Sequence, residues 1–405
     1  MVRFTDFVYS CLYYLHRLFE KSLIIVIKTC IPVNKTVVIF KSMPDFSDNA
    51  RALAEFMVEN GYTKKYSIFF DVEENERFKK RKDNIAFIST TSKYGKFKIR
   101  SIYRLYTAGY LMSTHKPIIA KRYARKDQNV INLWHGCSFK DRSAQDGKGT
   151  AFFDYALVAG NLFVKTKAYF WNVDEKRILP LGFPRYDWLI KKDETAQILI
   201  DRYKKNTDDK VILWMPTFRI DKRGRCTETN SITQFPLVGS IDQWNELDEL
   251  CINNNINLIV KLHPFQTEYG IPFDSFSNIA IINNRSFEQC DVPMYKFVAL
   301  TDGLISDYSS IAIDDLIVNR PIAFTLDDFE EYRNKRGFVF DDPRIYMPGH
   351  HLYKFDDLKC FLLNISAGID PYKIDRKKMY GKAICQSEHY CKDILDRFSI
   401  KIDYA

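Results

Sequence analysis

The stretch TVVIFKSMPDFSDNARALAEFM (residues 36–57), followed by YSIFFDV (66–72), decides the fold. Residues 36–40 are a short run of β-branched and aromatic side chains, the composition of a strand buried on both faces. From Asp48 the run DNARALAEFM reads as a helix, with Ser47 or Asp48 as its N-cap. YSIFFDV is a second strand. Strand, helix and strand in this order make a βαβ unit, which implies a parallel sheet.

The same alternation continues on both sides of residue 200. NIAFIS (84–89), GYLMST (109–114), VINLW (130–134) and YALVAG (155–160) extend the first series of strands. VILWMP (211–216), NLIVKLH (257–263), IAII (279–282), GLIS (303–306) and PIAFT (321–325) form a second series. Helical segments separate them, notably Ile241–Asn253 and Ser309–Val318. The chain therefore divides into an N-terminal amphipathic segment (1–34), two doubly wound α/β domains (35–200 and 201–380) and a C-terminal helix (381–405), free to pack on either domain. Two such domains in tandem imply a cleft between them.

Composition agrees with this division. A chain of 405 residues is too long for one ordinary core, and 46% hydrophobic with 15% aromatic residues excludes a disordered protein. Nine cysteines form no C-x-x-C pair, which argues against zinc-ribbon and thioredoxin-like chemistry and fits a reducing compartment. The N-terminal segment places Phe4, Phe7, Val8, Cys11, Leu12, Leu15 and Leu18 on one helix face, but charges interrupt it before a bilayer-spanning length is reached. It reads either as a packing helix or as an interfacial helix lying on a membrane.

In open α/β sheets, ligands bind beyond the carboxyl ends of the strands. The polar residues there are few. His135 follows VINLW, and Gly136 lets the chain turn and admits a ligand. Arg219 follows VILWMPTF, and His263 ends NLIVKLH before Pro264. Asp307, Ser309 and Ser310 follow GLIS at a helix start, where free N–H groups favour anions. Arg336 follows an acidic helix and suits a bidentate grip on phosphate. An imidazole titrates near neutrality, so a strand-end histidine can take a proton from an attacking hydroxyl. P-loop, nucleophile-elbow, H-E-x-x-H and G-x-G-x-x-G patterns are all missing. The adjacent His350-His351 is a poor metal site and is expected in a loop.

Trp134-His-Gly136 with Lys140, Gly182-Phe-Pro-Arg-Tyr-Asp187, Pro216-Thr-Phe-Arg219, Leu262-His-Pro264, Ser306-Asp-Tyr-Ser-Ser310, Asn319-Arg-Pro321 and Arg336-Gly-Phe338 occur in that order. Over roughly residues 35 to 350 this series resembles the CDP-glycerol glycerophosphotransferase family of teichoic-acid primases and polymerases. The resemblance implies a GT-B-like architecture, two Rossmann-like domains facing a central cleft. It further implies that His135 is the base and that His263 assists at the diphosphate. Asp307, Ser309, Ser310 and Arg336 would hold the nucleotide diphosphate, with Arg219, Arg185, Gly136 and Lys140 also at the substrates. No cofactor is required, and a divalent metal is compatible. The implied partners are CDP-glycerol or a related CDP-alditol and a lipid-linked saccharide or polymer acceptor. The chain departs from the family pattern at Cys137-Ser-Phe139 and at Pro348-Gly-His350. The alternatives are a CDP-ribitol donor or a GT-B glycosyltransferase using a nucleotide sugar.

The formal charge of +9 has a location. Residues 93–126 contain ten Lys or Arg and no Asp or Glu. Lys93, Lys96, Arg100 and Arg104 fall on one helical face, with Lys121 and Arg122 nearby. Interleaved tyrosines favour an anionic membrane surface over nucleic acid, for which no binding motif is present. The expected location is cytoplasmic, peripheral at the inner face of the membrane.

Overall fold

The computed structural model describes residues 14, 18–73, 78, 81, 84–90, 99–115, 117–140, 152–216, 235–262, 271 and 273–402. Two fully parallel sheets organise it. The first holds β1 (Asn34–Lys41), β2 (Ser67–Asp71), β3 (Ala86–Ile88), β4 (Ala108–Ser113), β5 (Asn129–Asn132), β6 (Tyr155–Leu157) and β7 (Ile178–Leu179), in the order 3-2-1-4-5-6-7. The second holds β8 (Lys210–Trp214), β9 (Ile256–Lys261), β10 (Ile279–Ile282), β11 (Gly303–Ser306), β12 (Ile322–Thr325) and β13 (His350–Leu352), in the order 10-9-8-11-12-13. Each is the doubly wound pattern, with strand order reversing beside its first strand. This is a GT-B-like α/β fold, as the sequence implied.

The central strands are apolar for the reason read from the sequence: helices cover both faces. Val38, Ile39 and Phe40 are fully buried, each contributing roughly 1.5–3 kcal/mol of transfer free energy. In the second domain Trp214, Phe235, Trp244 and Phe273 meet at ring separations of 5.2–6.1 Å behind the sheet.

Several local expectations need correction. Ser47 occupies the N-cap position of the helix Asp48–Glu59 as expected, but without a side-chain capping bond; its hydroxyl donates to Pro44 O at 2.6 Å. His350 and His351 lie in a strand and not in a loop. They pair in parallel with Ala323 and Phe324. This edge strand is short and polar, so no apolar alternation marks it. Its entry needs Gly349, where an added Cβ would clash with Ile322 O. The strand β7 was also missed, because it has two residues. The expected helix Ser309–Val318 is a four-residue α-turn, Ile311–Asp314, continued as a 3-10 turn over Asp315–Ile317.

The C-terminal segment is two helices, Lys373–Ala383 and Tyr390–Arg397. The second returns to the first domain. Asp187 accepts from the backbone N–H groups of Tyr390 (2.8 Å) and Cys391 (3.0 Å), and Tyr110 donates to Phe398 O at 3.2 Å. At the other end, the helix at 18–30 buries Ile24 and Ile27 and leaves Leu18, Phe19, Ile25 and Val26 exposed. Lys28 ties it to Arg122 O and Ala124 O. Among the described residues no helix is long and apolar enough to cross a membrane.

Candidate active site

A cavity of about 400 Å³ lies between the two sheets. The first domain lines it with Asp48, Arg51, His115, His135 and Arg185. The second contributes Met215, Tyr295, Ser309, Ser310 and Ile311. Phe46, Phe78 and Phe287 form an apolar wall. At its rim Asp291 of the second domain accepts from Arg51 (2.9 Å) and Arg81 (2.7 Å) of the first.

His135 sits just past β5, half-buried. Its loop is held in an uncommon backbone conformation. Trp134 has φ +53° and Gly136 φ +123°, and a non-glycine residue in the left-handed region needs support from its surroundings. Asn49 supplies it. Its amide donates to Trp134 O at 2.8 Å and Leu133 O at 3.3 Å, and Asn132 accepts from Trp134 N at 2.9 Å. The His135 ring lies 4.0 Å from the Trp134 ring and 4.3 Å from that of His115, the latter stacked at 19°.

His115 was missed from the sequence. It stands at the end of β4, next to β5 in the sheet, so two neighbouring strands each deliver an imidazole to the same cavity. The signal was present, because GYLMST ends one residue before it.

Gly136 brings the two domains into contact. An added Cβ there would lie 2.5 Å from Ser310 Oγ and 2.8 Å from Arg185 Nη2. Ser309 and Ser310 thus face the histidine loop across the cleft. Ser310 stands at the N-cap of the short helix Ile311–Asp314 with helical dihedrals and no side-chain capping bond. The turn is shaped by Asp307 instead, fully buried, which accepts from Ser309 N at 3.0 Å. Asp307 is not among the residues that line this cavity.

Arg185 lines the same cavity and is held by the protein's own carboxylates. Its side chain is 3% exposed and its guanidinium is shared between Asp48 (2.5 Å) and Asp314 (2.5 Å). Burial alone would lower its pKa, but Asp314 and Asp48 outweigh this and raise it well above the ordinary value. The guanidinium is therefore already committed to two protein carboxylates. Lys140 forms an antiparallel bridge with Phe338, two residues from Arg336, and Val339 N donates to Phe139 O at 2.9 Å. Lys140 and Arg336 accordingly flank the junction between the domains. Arg219 and His263 lie outside the described residues, as do Lys93 and Lys96. Of the remaining basic residues, Arg100, Lys121 and Arg122 are exposed, and Arg104 lies over the Phe69 ring at 4.5 Å.

Beneath the loop Cys137 is fully buried, and burial pushes its thiol up to about 11. In the second sheet Lys261 ends β9 while buried, and burial brings its ammonium down to about 8. Among the described residues no cluster of three or more His, Cys, Asp or Glu is placed to hold a metal ion.

Two Rossmann-like sheets meeting at a cleft, with a histidine loop on one side and a hydroxyl-bearing turn on the other, define a two-domain GT-B-like protein. The chain belongs to the CDP-Glycerol:Poly(glycerophosphate) glycerophosphotransferase family, whose model matches residues 23–388. The family resemblance read from the ordered motifs is thereby borne out. The chain is 28% identical over 342 residues to the teichoic acid ribitol-phosphate polymerase TarL of Staphylococcus aureus, covering 80% of this chain and 55% of that protein. It is 25% identical over 341 residues to a teichoic acid poly(glycerol phosphate) polymerase of Bacillus spizizenii, covering 77% and 79%. It thus spans little more than half the length of the first relative. Among solved structures, the wall teichoic acid polymerase TagF shares the fold with a TM-score of 0.70 at 20% identity, over 94% of this chain and 93% of that one.

Proposed function

We propose that this chain transfers an alditol phosphate from a CDP-alditol to a hydroxyl of a lipid-linked or glycan acceptor, in the synthesis of teichoic acid or a related surface polymer. Glycerol phosphate is the first donor group to test. Ribitol phosphate is the second reading, favoured by similarity to a ribitol-phosphate polymerase. The observation that carries the proposal is the single cavity in which His135 of one domain faces Ser309 and Ser310 of the other, in a chain of this family.

In the proposed reaction the acceptor hydroxyl approaches His135. The imidazole takes its proton as the oxygen attacks the phosphorus bearing the alditol. A phosphodiester bond forms, the phosphoanhydride bond to CMP breaks, and CMP departs. Charge growing on the phosphates is the main catalytic demand. Ser309 and Ser310 offer donors at the cleft, Arg336 and Lys140 lie at its flank, and Arg219 and His263 complete the proposed set. Asp307 acts by shaping the turn.

The N-terminal helix and the basic segment support a membrane-facing role at the cytoplasmic side. Exposed Leu18, Phe19, Ile25 and Val26 stand on a helix tied to the segment bearing Lys121 and Arg122. Apolar side chains beside cations suit an anionic lipid surface. Replacing Arg100, Lys121 and Arg122 by Gln should weaken binding to anionic vesicles in co-sedimentation; unchanged binding would remove that part of the proposal.

The transfer is tested by incubating the chain with CDP-glycerol, CDP-ribitol or a UDP-sugar, plus a lipid-linked disaccharide. The expected result is CMP release and a product heavier by one or more alditol phosphates. UDP release from the UDP-sugar, with no CMP from either CDP-alditol, would favour the glycosyltransferase reading.

A further inference from the structure

The strongest feature outside the reacting groups is a buried charged network crossing the domain junction. Asp314, fully buried in the second domain, accepts from three donors that reach it from both sides. Its Oδ1 accepts from Tyr186 OH (2.6 Å), and its Oδ2 from Tyr295 OH (2.6 Å) and Arg185 Nη2 (2.5 Å), the last also an ion pair. Tyr295 belongs to the second domain and presents its ring 4.3 Å from the Arg185 guanidinium. Arg185 and Tyr186 belong to the first.

The other end of Arg185 reaches the catalytic loop. Its Nη1 donates to His135 O at 3.2 Å, and its backbone N donates to Asn49 Oδ1 at 3.2 Å. Asn49 is the residue that holds the carbonyls of Leu133 and Trp134. One guanidinium therefore joins a carboxylate of the second domain to the carbonyl of His135. A second carboxylate, Asp48, balances the charge from the start of the helix Asp48–Glu59.

A buried charge that loses its partner is strongly unfavourable, so this network has few alternative arrangements. Sliding one domain against the other would strand Asp314 or Arg185. We propose that Asp314 is a positioning residue: through Arg185 it couples the docking of the second domain to the placement of the His135 loop. The base is then correctly set only when the hydroxyl turn Ser309–Ser310, which leads into the helix Ile311–Asp314, is docked opposite it. This rests on the reading of His135 as the base.

The test uses the full chain with a CDP-alditol and acceptor, following CMP release. Asp314→Asn keeps the shape and removes the charge. It should lower kcat by about 10²-fold, the scale of a misplaced catalytic group, with the donor KM changed less than about threefold. In a His135→Ala background Asp314→Asn should produce no further loss. Should Asp314→Asn fail to fold, Tyr295→Phe keeps every charge and removes one bond to Asp314; it should lower kcat several-fold at unchanged KM. Unchanged kcat in a folded variant would overturn the proposal. So would a rise in donor KM without loss of kcat, which would make Arg185 a substrate ligand. Full turnover by His135→Ala alone would instead defeat the reading of the base, an outcome distinguishable from either.

Discussion

The two sheets share one strand order, yet the ends of their strands carry different chemistry. In the first sheet the residues past β4 and β5 are His115 and His135, stacked at 4.3 Å, with Asp48 close to the same cavity. In the second the residues past β11 are Asp307, Ser309 and Ser310, and β9 ends on a buried lysine. One half offers two imidazoles at neighbouring strand ends. The other offers hydroxyls and a stored positive charge. The fold supplies the same crevice twice, and the side chains at its lips divide the labour.

Four substitutions would break or sharpen that division. The largest effect is expected in the proton-handling half. His135→Ala should reduce CMP release by roughly 10³-fold, the contribution typical of a general base. An initial-rate assay at saturating donor checks it, and near-normal turnover would remove the histidine half from the account.

Gly136→Ala strikes where the halves touch. The added Cβ meets Ser310 Oγ at 2.5 Å and must adopt φ +123°. Turnover should fall about 10²-fold, because the loop and the turn must separate. Thermal denaturation should show a lower Tm as well. A fully active Gly136→Ala would mean that the two loops need not meet.

Lys261 probes the second half through pH. Burial holds its pKa at about 8 against an ordinary value of 10.5. The unfolded chain therefore binds more protons between those values, and folding stability rises with pH across that window. Below pH 8 the folded state carries the full penalty, on the order of 3 kcal/mol. Lys261→Met should be more stable than the parent in denaturant titrations at pH 7, with the difference shrinking toward pH 10.5. A difference independent of pH would mean that the ammonium carries no burial penalty.

The smallest effect is expected at Cys137, which replaces a residue of the family pattern beside the histidine. Its thiol is fully buried with its pKa pushed up to about 11, so it is neither exposed nor ionised near neutrality. Cys137→Ser should leave kcat within about twofold and the native thiol should resist alkylation at pH 8. Rapid alkylation with loss of activity would give the thiol a part in the reaction.

Much of this arrangement was legible in the sequence because burial on both faces leaves a plain trace. VINLW, GLIS and PIAFT are continuous apolar runs, and each became a central strand. The polar residues after VINLW and GLIS, His135 and Asp307, could then be placed without coordinates. What escaped was of two kinds. The edge strand β13 is polar, since one side has no neighbour, so His350-His351 gave no strand signal. The positioning network joins residues far apart in the chain: Asp48, Arg185, Tyr295 and Asp314. Asp314 is one more carboxylate on a helical stretch until the second domain is docked, and the carboxylate partners of Arg185 come from Asp48 and Asp314, far from it in the chain.

The central claim is the division between the halves, and calorimetric binding of CDP tests it most directly. CDP carries the nucleotide and both phosphates but lacks the group to be transferred. His135→Ala should bind CDP within about twofold of the parent, whereas the double substitution Ser309→Ala and Ser310→Ala should weaken it about tenfold, each lost hydrogen bond to a charged group weakening affinity. Equal weakening by both variants, or weakening by His135→Ala alone, would contradict the account.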